Sequence, residues 1–292
     1  MPLNRLMTAQ GLRLGARRFV AGRTLDEFVP VVRSLNGAGV TVASAILGEG
    51  VLTESETRDV VAAYRELLER IASEGLRANI ALKLTHLGLA IDERLAAANL
   101  RELVEHAATL RNFVRIDMEE SAHVDATLRI YRELRGAGLV NAGVVLQAYL
   151  YRAPGDLEAL LPWVPNLRLV KGAYLEPPSL AFPRKADVDR QYCTLIEASL
   201  QGRGFTAIAT HDEGAIRHAI AFAKANGIAP AGRFEFQMLY GVRSALQRQL
   251  VAEGYPVRVA APFGGAWYPY LMRRLAERPA NVAFILGNMF RG

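Results

Sequence analysis

A (β/α)8 barrel is the fold this sequence predicts, on three observations. Eight short apolar runs rich in β-forming residues alternate strictly with longer segments of helical period. The length of 292 residues suits one such unit, since barrel folds commonly use about 250 residues in a single core. Residues able to do chemistry fall at the ends of the apolar runs, the face on which such barrels carry their active sites.

A helix over Leu25–Asn36 precedes the first strand. The first run, Thr41–Leu47, is followed by a helix over Glu54–Ser73, the second, Asn79–Thr85, by Glu93–Leu110, and the third, Phe113–Met118, by Val124–Gly136. The fourth, Ala142–Leu150, leads to a short helix over Asp156–Leu161, and the fifth, Leu167–Ala173, to Val188–Leu200. The sixth, Phe205–Thr210, precedes Glu213–Ala225, the seventh, Phe234–Leu239, precedes Val242–Glu253, and the eighth, Val257–Pro262, precedes Tyr268–Glu277. Such alternation forces a parallel sheet with right-handed crossovers, and eight units fit a closed barrel better than an open doubly wound sheet. No composition break or linker marks a boundary, so residues 1–292 are expected to form a single domain.

The composition, 51% apolar and 22% charged, is that of a soluble globular chain, and no apolar run approaches the ~18 residues that span a bilayer. One cysteine, Cys193, excludes an internal disulfide framework and a multi-thiolate zinc site, and points to the cytoplasm. Cys193 itself reads as a packed, inert thiol. The net charge of +6 is carried almost wholly by arginine, the only lysines being Lys83, Lys171, Lys185 and Lys224. Arginine alternates with acids along the helical segments, which argues against a nucleic-acid partner. The cluster Arg5, Arg13, Arg17, Arg18 and Arg23 precedes the first acid, Asp26, and suits a peripheral contact with anionic lipid. It lacks the pattern of a targeting peptide.

Lys83 and Lys171 sit at strand ends in a chain that otherwise uses arginine for charge, which favours a specific role for a compact cation. Asp117 follows the third strand and places a carboxylate at the barrel mouth, where a catalytic role competes with helix capping or an arginine pair. On the last helix Tyr270, Arg273, Arg274 and Glu277 share one stripe, and two neighbouring guanidiniums make a fork for a carboxylate. An exposed Arg273–Glu277 pair is the alternative. The five histidines lack metal-ligand spacing, no metal site is expected, and only His211, at a strand end, is a site candidate. There is no G-x-G-x-x-G after a strand, no phosphate-binding loop, no H-E-x-x-H and no G-x-S-x-G.

The strand-end motifs Phe113-Val-Arg-Ile-Asp117-Met-Glu, Val145-Leu-Gln147-Ala-Tyr149, Arg168-Leu-Val-Lys-Gly-Ala-Tyr174, Ala209-Thr-His211-Asp and Phe234-Glu-Phe-Gln-Met-Leu239 resemble the proline dehydrogenase family, as does Tyr270-Leu-Met-Arg-Arg-Leu-Ala-Glu277. The likeness runs from Arg17 to Asn281. It implies a distorted (β/α)8 TIM barrel with its last helix over the mouth, and FAD-dependent oxidation of L-proline to 1-pyrroline-5-carboxylate. Electrons would pass to a membrane quinone, and a separate 1-pyrroline-5-carboxylate dehydrogenase would take the product. By the same resemblance Lys83, Arg273 and Arg274 clamp the proline carboxylate, and Tyr174, Leu239 and Tyr270 wall the ring. Asp117 organises the pocket through an arginine of that clamp, and Arg168 sits beside the flavin. Met118, Gln147, Lys171, Gly172, Ala173, Thr210, His211 and Gln237 fall where relatives touch FAD. Ala260 stands where many relatives carry tyrosine, which implies a roomier pocket. Glu176–Asp187, rich in proline, is expected to help cover the site. Two rivals follow from the fold: a Schiff-base aldolase using Lys83 or Lys171, and a barrel that binds a small molecule without catalysis.

Overall fold

The computed structural model of the chain describes residues 19–48 and 51–267. Helix α1 (Leu25–Gly37) is capped by Thr24, whose hydroxyl accepts from Glu27 N–H at 3.3 Å. Strands β1 (Thr41–Ile46), β2 (Ala78–Leu82), β3 (Val114–Ile116) and β4 (Ala142–Gln147) alternate with helices α2 (Glu54–Ser73), α3 (Glu93–Thr109) and α4 (Val124–Gly136). Helix α5 (Ala153–Leu160), β5 (Asn166–Val170), α6 (Lys185–Gln201), β6 (Phe205–Ala209), α7 (Glu213–Ala225), β7 (Phe234–Leu239), α8 (Ser244–Ala252) and β8 (Val257–Phe263) continue the pattern. All eight strands are parallel and form a closed barrel in chain order. The seam joins β1 to β8 from Thr41 opposite Arg258 to Ile46 opposite Phe263.

The predicted fold class is therefore present. Strands such as β4, buried at every position, read as continuous apolar runs because helices cover one face and the barrel lumen lies on the other. Each helix turns an apolar stripe onto the sheet: α2 starts at a capping box between Thr53 and Glu56 and buries Val61, Tyr64, Leu67, Leu68 and Ile71. Between strands and helices lies the apolar core, with Tyr64, Tyr131 and Tyr192 fully enclosed.

Several predicted boundaries move. The runs Asn79–Thr85, Ala142–Leu150 and Leu167–Ala173 overshoot their strands, which end at Leu82, Gln147 and Val170. Their last residues turn over the barrel rim. Leu82 O accepts the amide of Asp117 at 2.8 Å, just beyond the short strand β3, and the ladder stops there. Ala148 and Leu150 lie past the end of β4 and stay apolar because they are buried. Helix α5 begins early, at Ala153, with Pro154 in its first turn, and α6 begins at Lys185. Helix α8 begins late, at Ser244, because Arg243 takes the left-handed conformation (φ 53°) before it. The helix expected over Tyr268–Glu277, with Tyr270, Arg273 and Arg274, lies outside the described residues, as do Arg5, Arg13, Arg17 and Arg18.

Candidate active site

The lumen of this barrel is polar. Barrel interiors are usually filled by branched apolar side chains, so buried charge here calls for an account. Arg258 on β8 donates from Nε to Glu235 Oε1 at 2.7 Å, and from Nη1 to Asn79 Oδ1 and Val42 O, both at 3.1 Å. The same Glu235 Oε1 accepts from Gln237 Nε2 at 2.6 Å. Gln237 Oε1 in turn accepts from Arg168 Nε at 2.6 Å, and Arg168 Nη1 closes the chain on Asp117 Oδ1. Contacts from β5 to β7 and from β5 to the end of β3 skip a strand, so they run through the lumen. Deeper still, Arg115 donates to Asn166 O at 2.8 Å and Val144 O at 3.0 Å, close against Gly143, where a Cβ would lie 2.6 Å from Nη1. Burial, and then the charge of Arg168, push the Arg115 guanidinium down to about 9.

At the mouth, Lys83 follows β2 and is half-buried, with its charge close to the Tyr174 hydroxyl. Burial raises that hydroxyl's pKa, and Lys83 opposes the rise. Glu119 is enclosed beside them. Its carboxylate accepts from Thr85 N at 3.0 Å and Thr85 Oγ1 at 2.5 Å, and its backbone oxygen accepts from Gln147 Nε2 at 2.9 Å. Burial raises the Glu119 pKa against those hydrogen bonds.

The adjoining rim is built from the ends of β4, β5 and β6. Tyr149 N donates to Lys171 O at 2.8 Å, so the Lys171-Gly172-Ala173 backbone is drawn across the end of β4. Gly172 sits at φ 111°, and a Cβ there would lie 2.1 Å from the Tyr149 ring, so only glycine fits. Lys171 Nζ is held by Asp189 at 2.5 Å and Asp212 at 2.6 Å. Burial alone would lower its pKa, but the two carboxylates outweigh burial and raise it. His211 Nε2 accepts from Leu239 N at 2.9 Å, which places the ring proton on Nδ1 and ties the end of β7 to that of β6. Thr210 Oγ1 accepts from Asp212 N at 3.1 Å.

The Lys171–Asp212 pair makes stability pH-dependent. Lys171 holds the Asp212 carboxyl below the ordinary carboxylate range, so its contribution is present above about pH 4 and fades as pH falls through the folded value. Asp212→Asn keeps the cap on Gly214 N–H but loses the charge. With the side chain 37% exposed, the expected loss at pH 7 is about 1 kcal/mol after solvent screening. In melts across pH, the gap to the parent should close below about pH 4. A gap that widened there would refute the pairing.

Glu176–Asp187, expected to cover the site, is pinned across the rim. Glu176 accepts from Ser121 N and Oγ, both at 2.6 Å, and Leu150 bridges Ala181 in antiparallel fashion. Of the candidate residues, Lys83, Asp117, Met118, Gln147, Arg168, Lys171, Gly172, Ala173, Tyr174, Thr210, His211, Gln237 and Leu239 all lie at strand ends or just beyond them on one face, or on a strand facing the lumen. Asp117 accepts from Arg168, while its expected contact with Arg273 or Arg274 lies outside the described residues. Glu235, Arg258, Arg115 and Glu119 were missed. The signal for one of them, Glu235, was present, since it alternates with Gln237 and Leu239 along one strand and so shares their face.

A profile of the family described as Proline dehydrogenase matches residues 28–286. The chain belongs to the proline dehydrogenase family. It is 43% identical over 292 residues to Proline dehydrogenase 1 of Bacillus subtilis (strain 168), covering 99% of this chain and 95% of that one. It is 41% identical over 281 residues to Proline dehydrogenase of Deinococcus radiodurans, covering 95% and 90%. Among solved structures, proline utilization A (PutA) from Bdellovibrio bacteriovorus, inactivated by N-propargylglycine, superposes with a TM-score of 0.83 at 25% identity. That match covers 89% of this chain but 32% of the PutA chain, so the present chain spans about a third of that protein. The resemblance read from the strand-end motifs is thus borne out, and the proline dehydrogenase family makes this an oxidoreductase. A Schiff-base aldolase is not favoured, because the match to proline dehydrogenases runs over nearly the whole chain, and Lys171 is a doubly paired cation.

Proposed function

We propose that the chain oxidises L-proline to 1-pyrroline-5-carboxylate with FAD as its cofactor, the first step of proline catabolism to glutamate. The observation that supports this best is Arg168, a guanidinium held at the mouth between an amide and a carboxylate. A reduced flavin carries negative charge, and a fixed cation accommodates it without reorganisation. The rim fits the same group, because Gly172 leaves the strand-end backbone free of a Cβ. Met118, Gln147, Lys171, Gly172, Ala173, Thr210, His211 and Gln237 would hold FAD, which when bound supplies the acceptor for a hydride from the proline C5.

The chain's own residues bind and orient. Lys83, with Arg273 and Arg274, binds the carboxylate, and Tyr174, Leu239 and Tyr270 hold the ring. This cationic setting favours the neutral amine, so the amine proton leaves to solvent before hydride transfer and no strong side-chain base is needed. Asp117 keeps Arg168 in place. Ala260, opposite Leu239 in the β7–β8 register, leaves room beside the ring and bears on which substituted prolines are accepted. Electrons would go on to a membrane quinone, and a separate 1-pyrroline-5-carboxylate dehydrogenase would act next. No helix among the described residues is long and apolar enough to cross a membrane. A cytoplasmic protein with peripheral contact at the inner membrane face, built as one domain over residues 1–292, is in keeping with this reading.

Purified protein should be yellow, and its absorbance should bleach when L-proline is added without oxygen. Colourless protein that gains no activity with added FAD would overturn the proposal. Arg273→Met and Arg274→Met should each raise KM for proline about 10- to 100-fold while flavin stays bound, the worth of one charged hydrogen-bonded contact. Loss of flavin instead would mean that the stripe does not face the substrate.

A further inference from the structure

We infer that Glu235 is a positioning residue for the reaction: by dictating the orientation of the Gln237 amide it fixes the plane of the Arg168 guanidinium at the mouth. The inference rests on the functional reading above. Glu235 touches neither the mouth nor Arg168. It is 5% exposed on the lumen side of β7, two residues before Gln237, and its Oε1 is shared between Gln237 Nε2 at 2.6 Å and Arg258 Nε at 2.7 Å.

An ionised carboxylate only accepts hydrogen bonds, and an arginine Nε–H only donates. Gln237 stands between the two. With Glu235 below and Arg168 above, one amide orientation satisfies both ends: nitrogen toward Glu235, oxygen toward Arg168. The reverse orientation would set acceptor against acceptor and donor against donor, inside a lumen where unpaired polar groups are costly. The Arg168 Nε–H therefore meets a fixed oxygen, and Asp117 takes Nη1. Two of the three nitrogens of a planar group, held from different directions, define its plane. Asp117 alone leaves rotation about the Nη1 contact. Arg258 has the matching task of neutralising Glu235, and Asn79 and Val42 O hold Arg258 in turn. The positioning thus comes from β7 and β8, strands apart from β5, which carries the arginine.

Three variants of the flavin-loaded enzyme test this. Glu235→Gln can keep its oxygen toward both Arg258 and Gln237, so kcat for proline should stay within about threefold of the parent. Glu235→Asp keeps the charge but withdraws the shared acceptor from both Gln237 and Arg258 by one methylene. Glu235→Leu combined with Arg258→Leu removes the buried pair together, an exchange that buried pairs often tolerate. Both of the latter should lower kcat at least tenfold with KM within about threefold, and should lower the flavin midpoint potential, because a displaced guanidinium stabilises the reduced ring less. A merely structural Glu235 would change melting temperature and leave kcat and potential alone. If Glu235→Asp, which retains the buried charge, folds with kcat and potential unchanged, the inference is overturned even should the double variant fail to fold. If the parent protein holds no flavin and leaves proline unoxidised, the functional reading falls and takes this inference with it.

Discussion

Arg168→Met is expected to lower kcat for proline-dependent flavin reduction by about 10²- to 10³-fold, the usual cost of deleting one preorganised donor to a developing negative charge. The side chain sits in the lumen with 10% of its surface exposed, anchored by Gln237 on one side and Asp117 on the other. Because it supports charge that develops only as the reaction proceeds, the loss should fall on kcat and leave KM nearly unchanged. Arg168→Lys should recover only part of the rate: an ammonium supplies the charge but cannot span Asp117 and Gln237 as a planar fork does. Single-turnover flavin bleaching under anaerobic conditions measures both variants. A methionine variant within threefold of the parent would remove Arg168 from the chemistry.

Gly172→Ala should cause the largest loss of stability of any single methyl addition at the rim. Two costs add: a left-handed backbone, about 1–2 kcal/mol for an L-residue, and overpacking against the Tyr149 ring, about 1–3 kcal/mol. Roughly 3 kcal/mol lowers the melting temperature of a domain of this size by about 6–12 °C. The added methyl also pushes the Lys171–Ala173 backbone off the end of β4, so bound flavin should be lost as well. Combining it with Tyr149→Leu should recover the part due to the clash and none of the part due to the backbone. Full recovery would show that the conformation at φ 111° is not strained.

Much of this architecture is legible in the chain because its periodicity is physical. Burial on both faces makes β4 a continuous apolar run, and amphipathic packing gives α2 its stripe, so element order and barrel closure can be read without coordinates. Strand ends are harder. Ala148 and Leu150 are as apolar as the strand before them, since burial continues past the strand's last residue, Gln147. The candidate residues Asp117 and Arg168 stand out as charge at the rim, but that they bind each other is a property of the closed barrel: they are 51 positions apart, on non-adjacent strands. Glu235 and Arg258 were passed over for the same reason. A glutamate between two phenylalanines looks like one solvated strand position; its alternation with Gln237 gives its face, but only closure brings it against an arginine 23 residues on.

The seam between β1 and β8 has a consequence for when this site comes into being. Thr41 through Ile46 pair with β2 on one side and find their second set of partners in Arg258 through Phe263, and the entry to α1 is tied there too, by Ala21 N to Pro262 O at 2.8 Å and Gly264 N to Gly22 O at 3.0 Å. A chain growing from its amino end holds an open sheet until its last strand emerges, and contacts of such long range are the slowest to form. Arg258 arrives with that strand. The counter-charge of Glu235, the set of the Gln237 amide and so the support behind Arg168 all wait for ring closure. Closure of the ring and assembly of the polar chain behind Arg168 are in this molecule a single event.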